Sequence, residues 1–356
     1  MKKNIIKIII PLIFLSIISL NGCLKDNVLL PFEIEIGSTE ELLIYLESRG
    51  DYINSPEMPS IVEASEVYSN LDNYLIIDVR SKEDFIAGHI PGAVNLLPGM
   101  ILTYLTGINI SGFPKIVLVS STGQAAAYYT SLLRLYGINN SYSMNFGMAY
   151  WHQDFADIWI TASKDDPGIT SGFDMFDYPK KDFSELPEVV FNNQGTTIEV
   201  KIKSRIQELM NDLFEESAFT NSLSSVSIDY YSLQTDIGNS TYYVCFGSKS
   251  FYVSKASGIG HRPNSVHYQP PPINPDLRST AYLQTLPRNE PIVLYSHSGQ
   301  LSAFAVAYLR LLGYNAKNIS FGMHNLYYNT LLSVEEFTTY VFTTAKIMNY
   351  PYETGE

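Results

Sequence analysis

The sequence contains very little cysteine. Only Cys23 and Cys245 occur among its 356 residues, which excludes zinc and iron–sulfur sites built from several cysteines. Cys245 lies in an apolar, aromatic run, where a free cysteine is typically a small buried hydrophobic residue with a raised pKa. We therefore predict an inert Cys245, no metal site and no cofactor.

Basic residues are also few. The chain has 23 Lys and Arg against 36 Asp and Glu, and a formal net charge of −13. Such a surface repels the phosphates of nucleic acid and the headgroups of anionic lipid. We therefore exclude nucleic acid as a partner. The length is sufficient for two domains, each with its own core.

The apolar run near the N-terminus is too short to cross a membrane. Residues 1–7 are basic and residues 8–20 are apolar, whereas a spanning helix needs ~20 apolar residues. This pattern is typical of a secretory signal. It ends in Leu20-Asn21-Gly22-Cys23, which resembles the bacterial lipoprotein box. That resemblance implies a signal peptide over residues 1–22 and an acylated Cys23 at the mature N-terminus. An ordinary signal peptide is the alternative.

One stretch of the chain occurs twice. Residues 116–137 and 292–313 align without gaps and are identical at half of their positions. Each copy predicts a buried strand, then a polar turn with one glycine, and then a helix that ends at a glycine. Gly88–Asn95 is echoed upstream of the second copy, and Phe146-Gly147-Met148 is echoed downstream of it. Three blocks repeated in the same order indicate a duplicated domain.

The repeated units predict the fold class and the domain boundaries. Strands alternate with helices in each copy, which favours an α/β fold of two modules, each a parallel sheet with helices on both faces. The predicted segments are a signal peptide (1–22), a tether and N-terminal helix (23–60), module 1 (61–162), a linker and connector (163–224), and a degenerate module 2 (225–356). Within the connector we expect a strand over 196–202 and an amphipathic helix over 205–214, packed against one module.

The first copy resembles the rhodanese (sulfurtransferase) family. Asp78-Val79-Arg80 followed by Gly88–Ala93 is similar to the first signature of that family, and Phe146–Trp151 to its closing turn. The resemblance covers about residues 60–160 well and about 225–330 more weakly. In active members a cysteine heads the loop and carries a persulfide. Ser120 and Ser296 stand at that position here.

The two strand–loop–helix units also predict anion sites. Backbone N–H groups of such a loop converge at a helix N-terminus, where the dipole favours negative charge. We expect them to surround an anion-sized hollow, with each glutamine closing the rim of its own loop. The candidate anion-binding residues are Ser121, Thr122, Gly123, Gln124 and Ala125 in the first loop, and His297, Ser298, Gly299, Gln300 and Leu301 in the second. The alternative is that both loops merely join strand to helix.

Four residues are expected to support the loops. Asp78 and Arg80 are interpreted as an ion pair, or as partners of turn backbone, that holds the start of module 1; a catalytic pair is the alternative. His89 stands beside a demanding Pro-Gly turn and is expected to make a structural hydrogen bond. His261 is its counterpart in module 2.

Serine cannot replace cysteine in sulfur transfer by the usual mechanism. A persulfide forms on a thiolate, whereas serine needs an adjacent general base. No His, Asp or Glu lies between Ser120 and Tyr129. His297 directly follows Ser296, but adjacent side chains on a loop seldom face each other. We assign no catalytic residue, because Ser120 and Ser296 only occupy the position of the family's cysteine.

The sequence thus predicts a membrane-anchored tandem rhodanese-like protein that lacks sulfurtransferase activity. Its expected partners are membrane lipid through acylated Cys23, an anion or sulfur compound, and an envelope protein. The expected location is the bacterial cell envelope, lipid-anchored and extracytoplasmic. The alternatives are an altered enzyme at the same loop (sulfurtransferase-like, or a Ser-dependent hydrolase or phosphatase) and a structural scaffold.

The lipid anchor is testable by a single substitution. Cys23→Ser removes the thiol that would be acylated, and acyl chains stabilise membrane attachment by ~0.8 kcal/mol per buried CH₂. We expect the variant to be recovered in soluble or unprocessed form when membranes are fractionated. A variant that stays membrane-bound after signal cleavage would contradict the anchor.

Overall fold

A five-stranded parallel sheet forms the centre of each module. The computed structural model describes residues 38–192, 197–216, 224–235, 241–253 and 260–355; Cys23 and the predicted signal peptide lie outside these ranges. The first sheet contains β1 (Ile61–Val62), β2 (Leu75–Asp78), β3 (Val94–Asn95), β4 (Ile116–Val119) and β5 (Ser141–Met144). Its spatial order is β1-β5-β4-β2-β3, and every pairing is parallel.

The second sheet repeats this topology. It contains β6 (Ser227–Ile228), β7 (Tyr242–Phe246), β8 (Ser265–Tyr268), β9 (Ile292–Tyr295) and β10 (Ala316–Ile319). The order is β6-β10-β9-β7-β8, again with parallel pairings. The predicted α/β fold of two similar modules is confirmed.

Helices of varied length surround and connect the sheets. They are α1 (Ser38–Ser48), α2 (Ala64–Tyr68), α3 (Lys82–Ala87), α4 (Pro98–Thr106), α5 (Gln124–Tyr136), α6 (Met148–Trp151), α7 (Asp157–Ala162), α8 (Pro167–Thr170), α9 (Ile198–Leu209), α10 (Tyr230–Thr235), α11 (Lys249–Tyr252), α12 (Gln300–Leu311) and α13 (His324–Ser333). Within the described ranges, none of them has both the length and the apolarity needed to cross a bilayer.

The central strand of each sheet directs the chain into the loop that follows it. All four residues of β4 are buried, as are all four of β9, because a central parallel strand is covered by helices on both faces. The residue that caps the N-terminus of the helix after each loop is a glycine in the left-handed region, Gly123 (φ 85°) before α5 and Gly299 (φ 79°) before α12. Each loop therefore ends where helix N–H groups are unpaired.

Helices α5 and α12 pack directly against each other and join the two modules. Nearly every residue of both helices is buried, as expected of a helix in the middle of a large core. The Ser131 hydroxyl donates a hydrogen bond of 2.9 Å to the carbonyl oxygen of Phe304 across this contact. The two loops at the N-termini of these helices are therefore placed close to the opposite module.

The loop glutamines cross between the modules. Oε1 of Gln124 accepts from the backbone N–H of Phe321 (2.8 Å), and Oε1 of Gln300 accepts from that of Phe146 (2.9 Å). Both phenylalanines head a Phe-Gly-Met turn and have positive φ, 54° at Phe146 and 62° at Phe321. Each oxygen therefore satisfies a buried N–H of the other module. The Nε2 of each glutamine donates to a hydroxyl of its own loop, Thr122 (3.0 Å) or Ser298 (3.2 Å), as expected of a side chain that closes that rim.

This exchange also explains the loop glycines. A Cβ on Gly123 would lie 2.4 Å from Oε1 of Gln300, and one on Gly299 would lie 2.4 Å from Oε1 of Gln124. Only glycine permits that approach and also tolerates the left-handed backbone. In each loop, the glycine therefore leaves space for the glutamine of the other loop, and these contacts join the two modules.

The connector differs from its prediction in two respects. Residues 198–202 belong to helix α9 rather than to a strand, and the Thr197 hydroxyl caps this helix by accepting from the Val200 N–H. The alternating apolar residues also satisfy helical spacing, since Ile202, Ile206 and Leu209 form its buried face. This face contacts α5 and α12, so the connector packs against both modules and not against one.

The glutamine exchange predicts a measurable loss of stability. Gln124→Ala leaves the buried N–H of Phe321 without its acceptor, which typically costs ~1–3 kcal/mol. Gln300→Ala should act similarly on Phe146. Urea denaturation should show both losses, whereas the exposed Gln153→Ala should stay within about 0.5 kcal/mol of the parent. If Gln124→Ala lowered the free energy of unfolding no more than Gln153→Ala does, the glutamine hydrogen bonds between the modules would not stabilise the interface.

Candidate functional site

Ser120 lies at the carboxyl end of β4, and backbone amides surround its hydroxyl. The residue is 1% exposed. Its Oγ accepts from the N–H groups of Gly123 (3.0 Å) and Ala126 (3.2 Å). The first helical turn therefore directs two donors at the atom that heads the loop, which favours partial negative charge there.

The carboxylate of Glu216 occupies the first loop. Its Oε1 accepts from the Ser120 hydroxyl (2.8 Å), the Thr122 hydroxyl (2.7 Å) and the Ala125 N–H (2.8 Å). Its Oε2 accepts from the Thr122 N–H at 3.1 Å. Four donors from the loop and the first helical turn thus converge on one anionic group, which is the arrangement expected of an anion site. We call this set of donors the cradle.

The cradle uses only some of the predicted donors. Thr122 and Ala125 direct their N–H groups at the carboxylate, as expected. The N–H of Gly123 instead binds Oγ of Ser120, and the N–H of Gln124 lies 3.4 Å from the Thr122 hydroxyl. Of the predicted donors, the cradle therefore rests on Thr122 and Ala125, supplemented by two hydroxyls.

Sequence reasoning missed Glu216 altogether. The carboxylate lies 96 positions after Ser120, in the segment that follows helix α9, where we expected only a connector. No spacing rule relates residues so far apart. The local search for a base near Ser120 found none, yet the fold places a carboxylate 2.8 Å from its hydroxyl.

A cavity of about 560 Å³ opens beside the cradle. Module 1 contributes Arg80, Ser121 and Tyr129 to its lining, and the segment after α9 contributes Phe214 and Glu216. The side chain of Glu216 is only partly buried. A small ligand can therefore reach the region of the donors from this cavity.

The loop of module 2 is arranged differently. Ser296 is fully buried, and its Oγ lies 3.1 Å from Oγ of Ser302 and accepts from the Ser302 N–H at 3.2 Å. The Ser302 hydroxyl in turn donates to Oδ1 of Asn318 at 2.6 Å. Ser302 stands where Ala126 stands in module 1. In the described part of the chain no carboxylate enters this loop as Glu216 enters the first, so the two loops are not equivalent.

His297 is enclosed by aromatic rings and does not act on Ser296. Its ring centroid lies 3.8 Å from that of Phe251 and 5.0 Å from that of Tyr340. Burial lowers the pKa of His297 to about 3. Its Nε2 is buried and has no hydrogen-bond partner among the described residues. The imidazole is therefore neutral near pH 7, and Oγ of Ser296 bonds Ser302 rather than this ring.

His324 is a second buried, neutral imidazole. Its Nδ1–H donates to the carbonyl oxygen of His297 (2.8 Å), and its Nε2 accepts from the N–H of Phe342 (2.9 Å). Burial lowers its pKa to about 4. His267 lies apart from these two and bonds the carbonyl oxygen of Gly247. Among the described residues, no group of three or more His, Cys, Asp and Glu is placed to hold a metal ion.

Asp78 and Arg80 form a buried ion pair. Nη2 of Arg80 lies 2.6 Å from Oδ2 of Asp78, and Nε lies 3.0 Å from Oδ1. The same Nη2 donates to the carbonyl oxygen of Gly88 at 2.7 Å. Both carboxylate oxygens and the turn are thus engaged, which is the structural role that we expected for this pair.

His89 and His261 play equivalent structural roles. Nδ1–H of His89 donates to the carbonyl oxygen of Phe85 (2.8 Å), and Nδ1–H of His261 donates to that of Tyr252 (2.7 Å). Each ring stacks on the aromatic residue it bonds, at 3.7 Å. Each backbone also pairs with an added segment, through Glu353 in module 1 and Asp174 in module 2. These histidines therefore hold extensions of the chain against their modules.

Cys245 is fully buried in β7. Burial raises the pKa of its thiol to about 12, so the thiolate that would react is absent at neutral pH. The position agrees with the inert residue expected from its aromatic neighbours.

One protein-family model matches a segment of each module. The model of the rhodanese-like domain matches residues 63–154 and 248–328. The chain therefore contains two rhodanese-like domains in tandem.

Similarity to individual proteins is low in sequence identity or in the length covered. An uncharacterized protein of Buchnera aphidicola is 33% identical over 87 residues, which cover 24% of this chain and 60% of that protein. A thiosulfate sulfurtransferase structure from Pseudomonas aeruginosa is 13% identical and has a TM-score of 0.24, with 90% of this chain and 70% of that chain covered. A rhodanese-related protein structure from Thermoplasma volcanium is 20% identical, with a TM-score of 0.23 and 27% and 89% coverage.

The buried imidazole of His297 predicts acid sensitivity. In the unfolded chain histidine is protonated below pH ~6.5, whereas folded His297 stays neutral down to about pH 3. The unfolded state therefore binds more protons between these values, and folding stability falls as the pH falls, by ~1.4 kcal/mol per pH unit.

His297→Phe removes this contribution while keeping an aromatic ring. Between pH 6.5 and pH 5 we expect the variant to lose ~1.5–2 kcal/mol less stability than the parent. Urea denaturation at the two pH values measures the difference. Tyr340→Phe, which alters a neighbouring ring without changing a group that titrates in this range, is the control. An unchanged pH dependence in His297→Phe would show that His297 is not protonated on unfolding as we describe.

Proposed function

We propose that this protein is a membrane-anchored tandem rhodanese-like binding protein that lacks sulfurtransferase activity and binds an oxyanion at the cradle of module 1, outside the cytoplasm. The observation that carries this proposal is the Glu216 carboxylate, which accepts four hydrogen bonds from the loop. A carboxylate presents two oxygens with spread negative charge. Oxyanions of sulfur present the same kind of acceptor, so they fit the same donors.

The chemistry of Ser120 supports a binding role rather than sulfur transfer. Its Oγ accepts from two backbone N–H groups and donates to Glu216. These amides would stabilise a thiolate or a persulfide in an active sulfurtransferase loop, but a hydroxyl does not ionise to the same extent near neutral pH. The donors are retained, and they hold an anion instead of activating a nucleophile.

Glu216 acts in this proposal as an internal competitor. Its carboxylate occupies the donors, so an external anion must displace it before binding. Glu216 belongs to the connector segment and is only partly buried, so we expect its carboxylate to be displaced without opening the core of the module. The affinity for free anion is therefore set partly by Glu216.

A Ser-dependent hydrolase at the same loop is the second candidate. The contact of 2.8 Å between the Ser120 hydroxyl and Glu216 favours it, since a serine nucleophile needs an adjacent base. The same carboxylate, however, is engaged by three further donors. Little acceptor capacity is left for the serine proton, so anion binding accounts better for the geometry.

The anchor rests on the lipoprotein-box resemblance at Cys23. On this proposal the acylated residue holds the protein at the bacterial envelope, and the partners are membrane lipid, an anion or sulfur compound, and an envelope protein. Helix α1 begins at Ser38, which leaves a short tether between the lipid and the first module.

Removal of the internal competitor tests the cradle. In Glu216→Ala the donors of Thr122 and Ala125 lose their carboxylate, so we expect thiosulfate, sulfate or acetate to bind about tenfold more tightly than to the parent, equivalent to ~1.4 kcal/mol. Isothermal titration calorimetry with each anion measures the change.

The adjacent carboxylate provides the matched control. Glu215→Ala removes a charge of the same sign at the next position and should leave the affinities unchanged. If none of the three anions binds Glu216→Ala more tightly than the parent, the cradle is not an oxyanion site.

A further inference from the structure

The loop of module 2 faces a cavity of its own. This cavity differs in shape and charge from the cavity beside the cradle of module 1. Its volume is about 520 Å³, and it lies over Ser298 and Leu301 at the start of helix α12. The segment before module 1 contributes Met58 to the lining and module 1 contributes Glu63, whereas the C-terminal part of the chain contributes Glu336, Phe337, Thr339 and Tyr340. We call this space the second cavity. Both modules are needed to form it.

The walls of the second cavity are mainly apolar and aromatic. Its apolar lining comes from three prolines in a row, two aromatic rings and several aliphatic side chains. These residues are Pro270, Pro271, Pro272, Phe337, Tyr340, Met58, Ile61 and Leu301. Tyr340 is 48% exposed, so its ring is available to a ligand. Such a lining fits a compact apolar body better than a small hydrated anion.

The charge of the second cavity is negative. Glu63 and Glu336 belong to its lining, and no Lys or Arg does so within the described ranges. Oε1 of Glu336 accepts from the hydroxyls of Ser250 (2.5 Å) and Ser248 (3.3 Å). Oε1 of Glu63 accepts from Nδ2 of Asn145 at 2.8 Å. These bonds hold both carboxylates at the cavity, where acidic groups attract cations and repel anions.

His297 supplies a polar group that lacks a partner. Its side chain lines the second cavity and is 4% exposed. No described residue bonds its Nε2, and a buried polar group without a partner is costly. Burial also keeps this imidazole neutral, so the second cavity gains no positive charge from it near pH 7.

We propose that the second cavity is a binding site for a small organic cation, an amine with an aromatic or aliphatic body. The carboxylates of Glu63 and Glu336 attract the ammonium group, and the exposed ring of Tyr340 receives both the cation and the apolar body. This site is independent of the oxyanion cradle, because the two cavities share no described lining residue. The protein thus carries two sites of opposite charge preference.

Three probes of one shape test this proposal on the full protein. Benzylammonium, benzyl alcohol and benzoate have the same ring and differ in charge. By calorimetry or by NMR of the Met58 methyl group, we expect benzylammonium to bind about tenfold more tightly than benzyl alcohol, and benzoate to bind weakest. Benzoate binding as tightly as benzylammonium would overturn the proposal.

Two variants separate the contributions of charge and space. Glu336→Gln should weaken benzylammonium about tenfold, whereas Glu335→Gln, which lies outside the lining, should leave it unchanged. Leu301→Trp fills the second cavity and should abolish binding of all three probes. If Leu301→Trp bound benzylammonium as the parent does, the probe would be located elsewhere and the proposal would be wrong.

The variant of the first cradle distinguishes this proposal from the oxyanion function. Glu216→Ala should leave benzylammonium affinity unchanged, because Glu216 does not line the second cavity. A loss of benzylammonium binding in that variant would place the cation at module 1 and overturn the proposal. Failure of thiosulfate binding would test only the cradle.

Discussion

The need to satisfy buried backbone N–H groups at two strained turns organises the interface of this protein. Phe146 and Phe321 adopt positive φ at the end of their sheets, and each exposes an N–H that its own module leaves unpaired. The glutamine after the glycine of the opposite loop supplies the acceptor. Because an unpaired buried N–H is costly, neither module completes its turn alone. The two loops are therefore held beside each other at the interface, where the glycine of each loop lies close to the glutamine of the other.

From this shared arrangement the two loops have diverged in chemistry. In module 1 the donors converge on the Glu216 carboxylate from the connector, which is the contact on which the proposed oxyanion site rests. In module 2, Ser302 and Asn318 satisfy Ser296 internally, and His297 is folded among aromatic rings. The surrounding lining is acidic and apolar. The same loop geometry is thus surrounded by different side chains in the two modules, which is why we propose ligands of opposite charge for them.

Much of the fold could be predicted from local pattern. The aliphatic runs at Ile116 and Ile292, the glycines that follow, and the order of repeated blocks all depend on residues close in sequence, and each was correct. The same reasoning placed Asp78 beside Arg80 and gave His89 a structural bond. The connector was predicted incorrectly, because the spacing of Ile198, Val200 and Ile202 fits both a strand and a helix. The helix forms because it buries Ile202 and Ile206 against the two modules.

The sequence by itself determined the duplicated α/β framework and the loop positions, because hydrophobic periodicity and glycine conformation act over a few residues. Only the tertiary structure decided what each loop contacts. Gln124 bonds a turn 197 positions away, and Glu216 reaches a serine 96 positions before it. Side-chain hydrogen bonds of this kind depend on the distance between elements after packing, and no local pattern encodes that distance. The order of strands and helices is thus fixed by local segments of the sequence, whereas the candidate site forms only when those segments pack together.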